Sequence, residues 1–246
     1  RECEKTLEKF NKKNLAYYWF KVKKKTFIIA KEYDNEKSFN YLNLNFKKIK
    51  NPSIKMLFDV ANISKSFEEY DIAIGYYNNV LSQLTPNSKN YSDILYKRGS
   101  SYERLGEFSK SDNDLLQSLE INPDDPYTLN YLAYSWLERN YKIETAIEML
   151  ERAYKKKQND PYIIDSIGWA YYLVGDFSKA EQLMKQALVL MPDDPIVNDH
   201  YGDILWSLNK KMQAQYYWKS VLNLKDTEES MKEKINIKLL KGPNKI

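Results

Sequence analysis

Four short phrases in this 246-residue chain repeat at a spacing of 34 or 35 residues. Each phrase begins with a small residue, at Gly99, Ala133, Gly168 and Gly202. A second small residue follows 12 or 13 positions later, at Ser111, Ala146, Ala180 and Ala214. A fixed period in this range is typical of proteins that stack many similar units, each too small to bury its apolar face alone. The period therefore predicts an array rather than one large globular core.

The unit 161–194 shows what each repeat contains. Ile164 and Ile167 are three residues apart, which places them on one face of a helix. Gly175 is suited to end that helix with a left-handed residue, and a second apolar stripe follows it. Gly168 is small because two antiparallel helices approach closely at this point. Each unit is therefore predicted to be a pair of helices.

This pattern resembles the tetratricopeptide repeat, which has small and aromatic residues at the same spacings. The resemblance implies an all-α, right-handed α-α superhelix. We predict four well-formed units in 92–228, two degenerate units in 19–91, an orphan helix of a truncated repeat in 1–14, and a capping helix with a tail in 229–246. The four well-formed units are 92–125, 126–160, 161–194 and 195–228.

Residues 92–224 also resemble the C-terminal part of exported alphaproteobacterial proteins of this class. The phrases that carry the resemblance include Leu129–Trp136, Asp165–Tyr172 and Asn198–Asp203. A more distant similarity is to an outer-membrane lipoprotein that serves as adaptor for a periplasmic protease. The resemblance implies the periplasm or cell envelope, with the cytoplasm as the alternative. It also implies that an export signal and further repeats precede Arg1.

In tetratricopeptide arrays the first helix of each pair lines a concave groove, and the resemblance implies the same here. The predicted groove is rich in tyrosine and tryptophan and is bordered by carboxylates that favour a partner carrying Lys or Arg. Its residues are Tyr96, Arg104, Tyr127, Asn130, Tyr134, Asp165, Trp169, Tyr172, Asp199, Asp203 and Trp206. We predict a non-catalytic module that binds a peptide or partner protein. The alternative is a structural subunit joined through its ends or convex face, with the groove idle.

Composition argues against the other functional classes. With one cysteine, Cys3, and one histidine, His200, the chain can build neither a disulfide framework nor a zinc site. His200 has no nucleophile motif beside it and is interpreted as a capping or packing residue, so no catalysis and no cofactor are expected. Residues 1–91 are basic and 92–228 acidic, and the acidic inner face disfavours nucleic acid. No apolar stretch is long enough to span a bilayer.

Overall fold

The computed structural model describes residues 15–86, 88–225 and 227–243, so the predicted orphan helix in 1–14 lies outside the described residues. Within that part of the chain there are 13 helices and no strands, which confirms the all-α fold. The helices are α1 Leu15–Glu32, α2 Asn35–Phe46, α3 Ile54–Ser66, α4 Tyr70–Leu81, α5 Lys89–Arg104, α6 Phe108–Ile121, α7 Pro126–Glu138, α8 Ile143–Lys156, α9 Pro161–Leu173, α10 Phe177–Leu190, α11 Pro195–Ser207, α12 Lys211–Asn223 and α13 Glu229–Lys241.

The helices pair in chain order and fall into two compact units. Unit 1 is Arg1–Ile121 and unit 2 is Asn122–Ile246. The sequence analysis groups the helices α5 and α6 with the later and more regular repeats. In the structure this pair belongs to unit 1, together with the earlier repeats. Unit 1 contains three described pairs, and unit 2 contains three pairs followed by α13.

The acidic linkers of unit 2 start its first helices. Asp125, Asp160 and Asp194 each accept hydrogen bonds from backbone N–H groups of the following turn, with the shortest, from Thr128 N, at 2.7 Å. A proline follows each aspartate at the first helical position, where its missing N–H leaves no bond unmade. A left-handed Gly175 (φ +82°) follows the end of α9, as its sequence position predicts.

Small residues let the two helices of a pair approach closely. A Cβ added to Gly168 would lie 3.3 Å from the Met184 side chain, and one added to Gly202 would lie 2.3 Å from Nε1 of Trp218. Ala180 and Ala214, on the second helices, are fully buried. The repeating small residues therefore mark helix contacts, and the contact at Gly202 leaves no room for a larger residue.

Unit 1 keeps the spacing of the repeats with different residues. Its first pair closes on Thr26 and Ser38, both fully buried, with the Ser38 hydroxyl donating to the Thr26 carbonyl at 2.5 Å. Trp19 and Phe46 meet edge to face at a centroid distance of 5.2 Å and join one apolar core that extends to Leu95. The degenerate repeats are thus held together by a continuous aromatic and aliphatic core.

Among the described residues, no helix combines the length and apolarity needed to cross a bilayer.

Candidate functional site

Nine of the predicted groove residues lie on the first helices of unit 2, which are α7, α9 and α11. They are Tyr127, Asn130, Tyr134, Asp165, Trp169, Tyr172, Asp199, Asp203 and Trp206. The other two, Tyr96 and Arg104, lie on α5 in unit 1. The predicted set therefore divides between two compact units.

At the centre of the unit 2 set, a carboxylate and a histidine form a buried pair. Nδ1 of His200 lies 2.9 Å from Oδ1 of Asp165, and both side chains are about one-tenth exposed. The imidazole stacks on Trp169 at a centroid distance of 4.1 Å and an interplanar angle of 13°, and Trp169 in turn stacks on Tyr172 at 4.7 Å. This column of rings joins α9 to α11.

The carboxylates around His200 set its protonation. Burial by itself lowers the pKa of His200, but Asp165, with smaller contributions from Asp199 and Asp203, raises it above the ordinary value. The charged imidazolium is therefore favoured at a buried position because a carboxylate faces it directly. His200 is a packing residue, and the N-cap of its helix is Asp194.

A second buried contact in unit 2 joins one lysine to two aspartates. The ammonium nitrogen of Lys238, on α13, lies 2.6 Å from Asp199 Oδ1 and 2.8 Å from Asp203 Oδ2. Nε1 of Trp218 donates to the other oxygen of Asp203 at 3.2 Å. The pKa of Asp203 is raised to about 6, mainly by burial, with Lys238 opposing the shift and Asp199 adding to it. Two of the predicted groove carboxylates thus already hold a cation from the same chain.

The end of α13 also covers part of Trp206. A Cβ added to Gly242 would lie 2.6 Å from the Trp206 ring, so the backbone after α13 runs directly against the indole. Gly242 has a φ of +78°, which only glycine adopts without strain. Trp206 is left partly exposed and packs against Trp218 at a centroid distance of 5.4 Å.

The remaining predicted residues on α7 differ in exposure. Tyr127 is 48% exposed, whereas Tyr134 and Asn130 are partly buried. Burial raises the pKa of Tyr134, and the negative charges of Glu138, Asp165 and Asp199 raise it further. The Asn130 side-chain oxygen is buried and, within the described residues, accepts no hydrogen bond. Tyr127 is thus the most accessible aromatic side chain of the predicted set in unit 2.

In unit 1, the two predicted residues lie beside cations. Tyr96 is partly buried, and its ring centroid is 6.0 Å from the ammonium nitrogen of Lys65. Arg104 is exposed, and its Nε donates to the Tyr70 hydroxyl at 3.3 Å. Tyr96 therefore has a lysine beside it, whereas Tyr134 of unit 2 lies near the carboxylates of Glu138, Asp165 and Asp199.

Sequence reasoning missed the ion pairs that His200 and Lys238 form and the contact of Lys65 with Ser100. The signal that could have found them is the repeat period itself, because residues one period apart lie side by side on neighbouring first helices. Asp165 and His200 are 35 positions apart, and so are Asp203 and Lys238 and, in unit 1, Lys65 and Ser100. Comparing each charged residue with the one 35 positions later would have paired them.

Comparison with known proteins agrees with the helical-repeat fold. A family model for the tetratricopeptide repeat matches residues 92–125. A TPR repeat-containing protein of Pseudomonas aeruginosa is 32% identical over 111 residues, which cover 45% of this chain but 19% of the relative. The solved structure of a tetratricopeptide repeat protein from Parabacteroides merdae superposes with a TM-score of 0.66 at 19% identity, covering 91% of this chain and 86% of the other.

Residues 92–125 thus match the tetratricopeptide repeat family, and the chain shares its fold with a solved tetratricopeptide repeat protein. A thermophilic TPR protein of Thermus thermophilus has the same fold, with a TM-score of 0.63 at 19% identity and coverage of 76% of this chain and all of the other. Anaphase-promoting complex subunit 3 of Schizosaccharomyces pombe is 24% identical over 120 residues, 49% of this chain and 16% of that protein. The chain thus spans less than a fifth of the length of these two sequence relatives.

Proposed function

We propose that the chain is a non-catalytic interaction module, and that the aromatic side of the first helices in unit 2 binds a segment of a partner protein. The observation that supports this is a run of aromatic residues that keep solvent exposure on three successive first helices: Tyr127 and Tyr134 on α7, Trp169 on α9 and Trp206 on α11. Tyrosine and tryptophan offer a large apolar area with a polar tip and dominate the energetics of protein interfaces.

The contacts inside unit 2 sharpen the chemistry expected of that partner. Asp165 already faces His200, and Asp199 and Asp203 already face Lys238. A lysine or arginine of the partner would have to displace these cations. We therefore assign the main contribution to partner binding to the aromatic side chains. The carboxylate open to a partner's cation is the exposed Glu138, which lies beside Tyr134.

The substitution Tyr127→Ala tests the proposal with little risk to the fold, because the side chain is 48% exposed. The wild-type chain and the variant are each immobilised and incubated with matched lysate. We expect the variant to lose partners that the wild-type chain captures, as measured by quantitative mass spectrometry. The matched control is Tyr216→Ala on α12, where the tyrosine is 67% exposed on a second helix. If Tyr127→Ala recovers the same partners in the same amounts, the aromatic side of unit 2 is not the binding surface.

A second candidate function is a subunit of a larger assembly, joined through the second helices. Unit 2 has a cavity of about 430 Å³ there, lined by Tyr201, Met212, Tyr216 and Tyr217 with lysines at its edge. Met212 and Tyr216, which are 86% and 67% exposed, give this surface apolar area that a second subunit would cover. One of the sequence relatives is itself named as a subunit of a complex. Loss of partners with Tyr216→Ala, but not with Tyr127→Ala, would favour this function.

We also propose that the partner belongs to the bacterial envelope, as an adaptor's protease or complex would. The support is the resemblance of residues 92–224 to exported alphaproteobacterial proteins. Fractionation of cells expressing the full open reading frame tests it, and recovery in the cytoplasmic fraction alone would reject it.

A further inference from the structure

Two lysines on neighbouring first helices of unit 1 lie partly buried against aromatic rings. Lys65, on α3, donates from its ammonium group to the Ser100 hydroxyl on α5. Lys97, on α5, has its ammonium nitrogen 5.7 Å from the ring centroid of Phe58 on α3. Lys65 and Lys97, called here the lysine pair, thus lie across the same helix contact.

The lysine pair differs from the other buried cations of unit 1 in what it contacts. Lys23 lies 2.6 Å from Asp59, and Arg98 holds Asp114 with two bonds of 2.6 and 2.7 Å. In the part of the chain that the structure describes, no carboxylate lies within ion-pair distance of either member of the pair. Their contacts are a hydroxyl group and aromatic faces, which stabilise a cation less than a carboxylate does.

This arrangement has an energetic cost in the free chain. Burial, with smaller contributions from the positive charges of Lys97 and Arg104, lowers the pKa of Lys65 to about 8, although Glu103 opposes the shift. Burial also lowers the pKa of Lys97. At neutral pH Lys65 is still largely protonated, so the fold holds a poorly compensated positive charge. Anionic groups that reached both nitrogens would remove this cost on binding.

We propose that the lysine pair is a binding site for side-chain carboxylates of an acidic segment in a partner protein. Phe58 and Tyr96 lie beside the two nitrogens, so they can contact the methylene groups of a glutamate whose carboxylate bonds to lysine. Asp93 and Glu103 act on the same lysines and weaken the local positive field. A weakened field suits one or two carboxylates better than the dense charge of a phosphate backbone.

The test measures binding of a fluorescein-labelled peptide of alternating glutamate and glycine with an amidated C-terminus, by fluorescence anisotropy on the whole chain. We expect the double substitution Lys65→Met and Lys97→Met to weaken binding at least roughly tenfold, the effect of losing charge-assisted hydrogen bonds. The matched control is Lys89→Met, which removes the same charge from an exposed position on α5 and should change the affinity by less than about twofold. The same peptide with glutamine in place of glutamate should not bind.

A second readout does not depend on the variants. NMR titration of the lysine side chains should show Lys65 with a pKa of about 8 in the free chain and a higher value with the glutamate peptide bound. Two results would overturn the proposal: equal binding by the double variant and wild type, or an unchanged Lys65 pKa at saturating peptide. A single-stranded oligonucleotide that binds more tightly than the peptide, and loses binding in the double variant, would also overturn it.

Discussion

One contact between first helices compensates a buried charge differently in the two units. In unit 2, Asp165 faces His200 and Asp203 faces Lys238, so each acid has its cation within the unit. In unit 1, Lys65 contacts a hydroxyl group and an aromatic ring in place of a carboxylate. Both arise from the same repeat geometry, since each contact joins residues 35 positions apart. One backbone arrangement thus carries a satisfied charge network in one place and an unsatisfied charge in another.

The largest expected effect concerns packing, where the units also differ. Gly202→Ala places a Cβ against the fully buried indole of Trp218, and we expect a loss of about 3 kcal/mol in the free energy of unfolding. The control is Gly75→Ala in α4 of unit 1, where nothing lies within 4 Å of the added Cβ. That change should stabilise by up to about 1 kcal/mol through helix propensity. Urea denaturation measures both, and equal values for the two variants would contradict the close approach at Gly202.

An effect of similar size tests the charge comparison directly. His200→Leu leaves Asp165 buried without its cation and should cost roughly 3 kcal/mol of unfolding free energy. Lys65→Met removes a poorly compensated charge from unit 1 and should leave the stability unchanged or raise it by about 1 kcal/mol. Thermal and urea denaturation of both variants test the contrast. Destabilisation of similar size in the two variants would show that the units do not differ in this way.

A double substitution sharpens the same contrast within unit 2. If Asp165 and His200 stabilise each other, Asp165→Leu combined with His200→Leu should be less destabilising than the sum of the two single changes, by roughly 1 kcal/mol or more. Additive losses would mean that the two side chains contribute independently.

The smallest effect is a difference in pH dependence. The raised pKa of Asp203 means that the folded state binds more protons than the unfolded one between about pH 4 and 6, and the raised pKa of His200 has the same effect above about pH 6.5, so the stability of unit 2 falls as pH rises through these ranges. Lys65 has a lowered pKa, so the unfolded state binds more protons between about 8 and 10 and the stability of unit 1 rises there. Each change should be on the order of 1 kcal/mol.

Urea denaturation at several pH values measures this difference. Four of the five tryptophans lie in unit 2, so intrinsic fluorescence mainly follows that unit. His200→Leu should flatten the fall in stability above about pH 6.5, and Lys65→Met should flatten any rise above pH 8. If neither substitution changes its part of the profile, other groups determine the pH dependence.

The sequence was sufficient to predict the fold, because the fold rests on local chemistry that repeats. Small residues at fixed spacing predicted the helix contacts, and Gly175 predicted the end of α9. These signals act within one repeat of the array, so they do not require knowledge of the neighbouring repeats.

The candidate site was harder to predict, because its electrostatics depend on contacts between neighbouring repeats. Asp199 and Asp203 were read as carboxylates open to a partner, whereas Lys238 of the last helix lies against both. Asp165 was read in the same way, and the histidine opposite it was interpreted as a capping or packing residue. Knowing that a residue faces inward does not tell which side chain one period away will face it.

The contact between Asp203 and Lys238 also limits how this array can evolve by duplication. If residues 195–228 were copied in tandem, the position 35 residues after Asp203 would hold a second Ile204 in place of Lys238. The original Asp203 would then lie buried beside an aliphatic side chain, and only the new copy would reach the lysine. A duplication at this point would therefore need a compensating substitution, because the carboxylate of residues 195–228 and the lysine of α13 depend on each other.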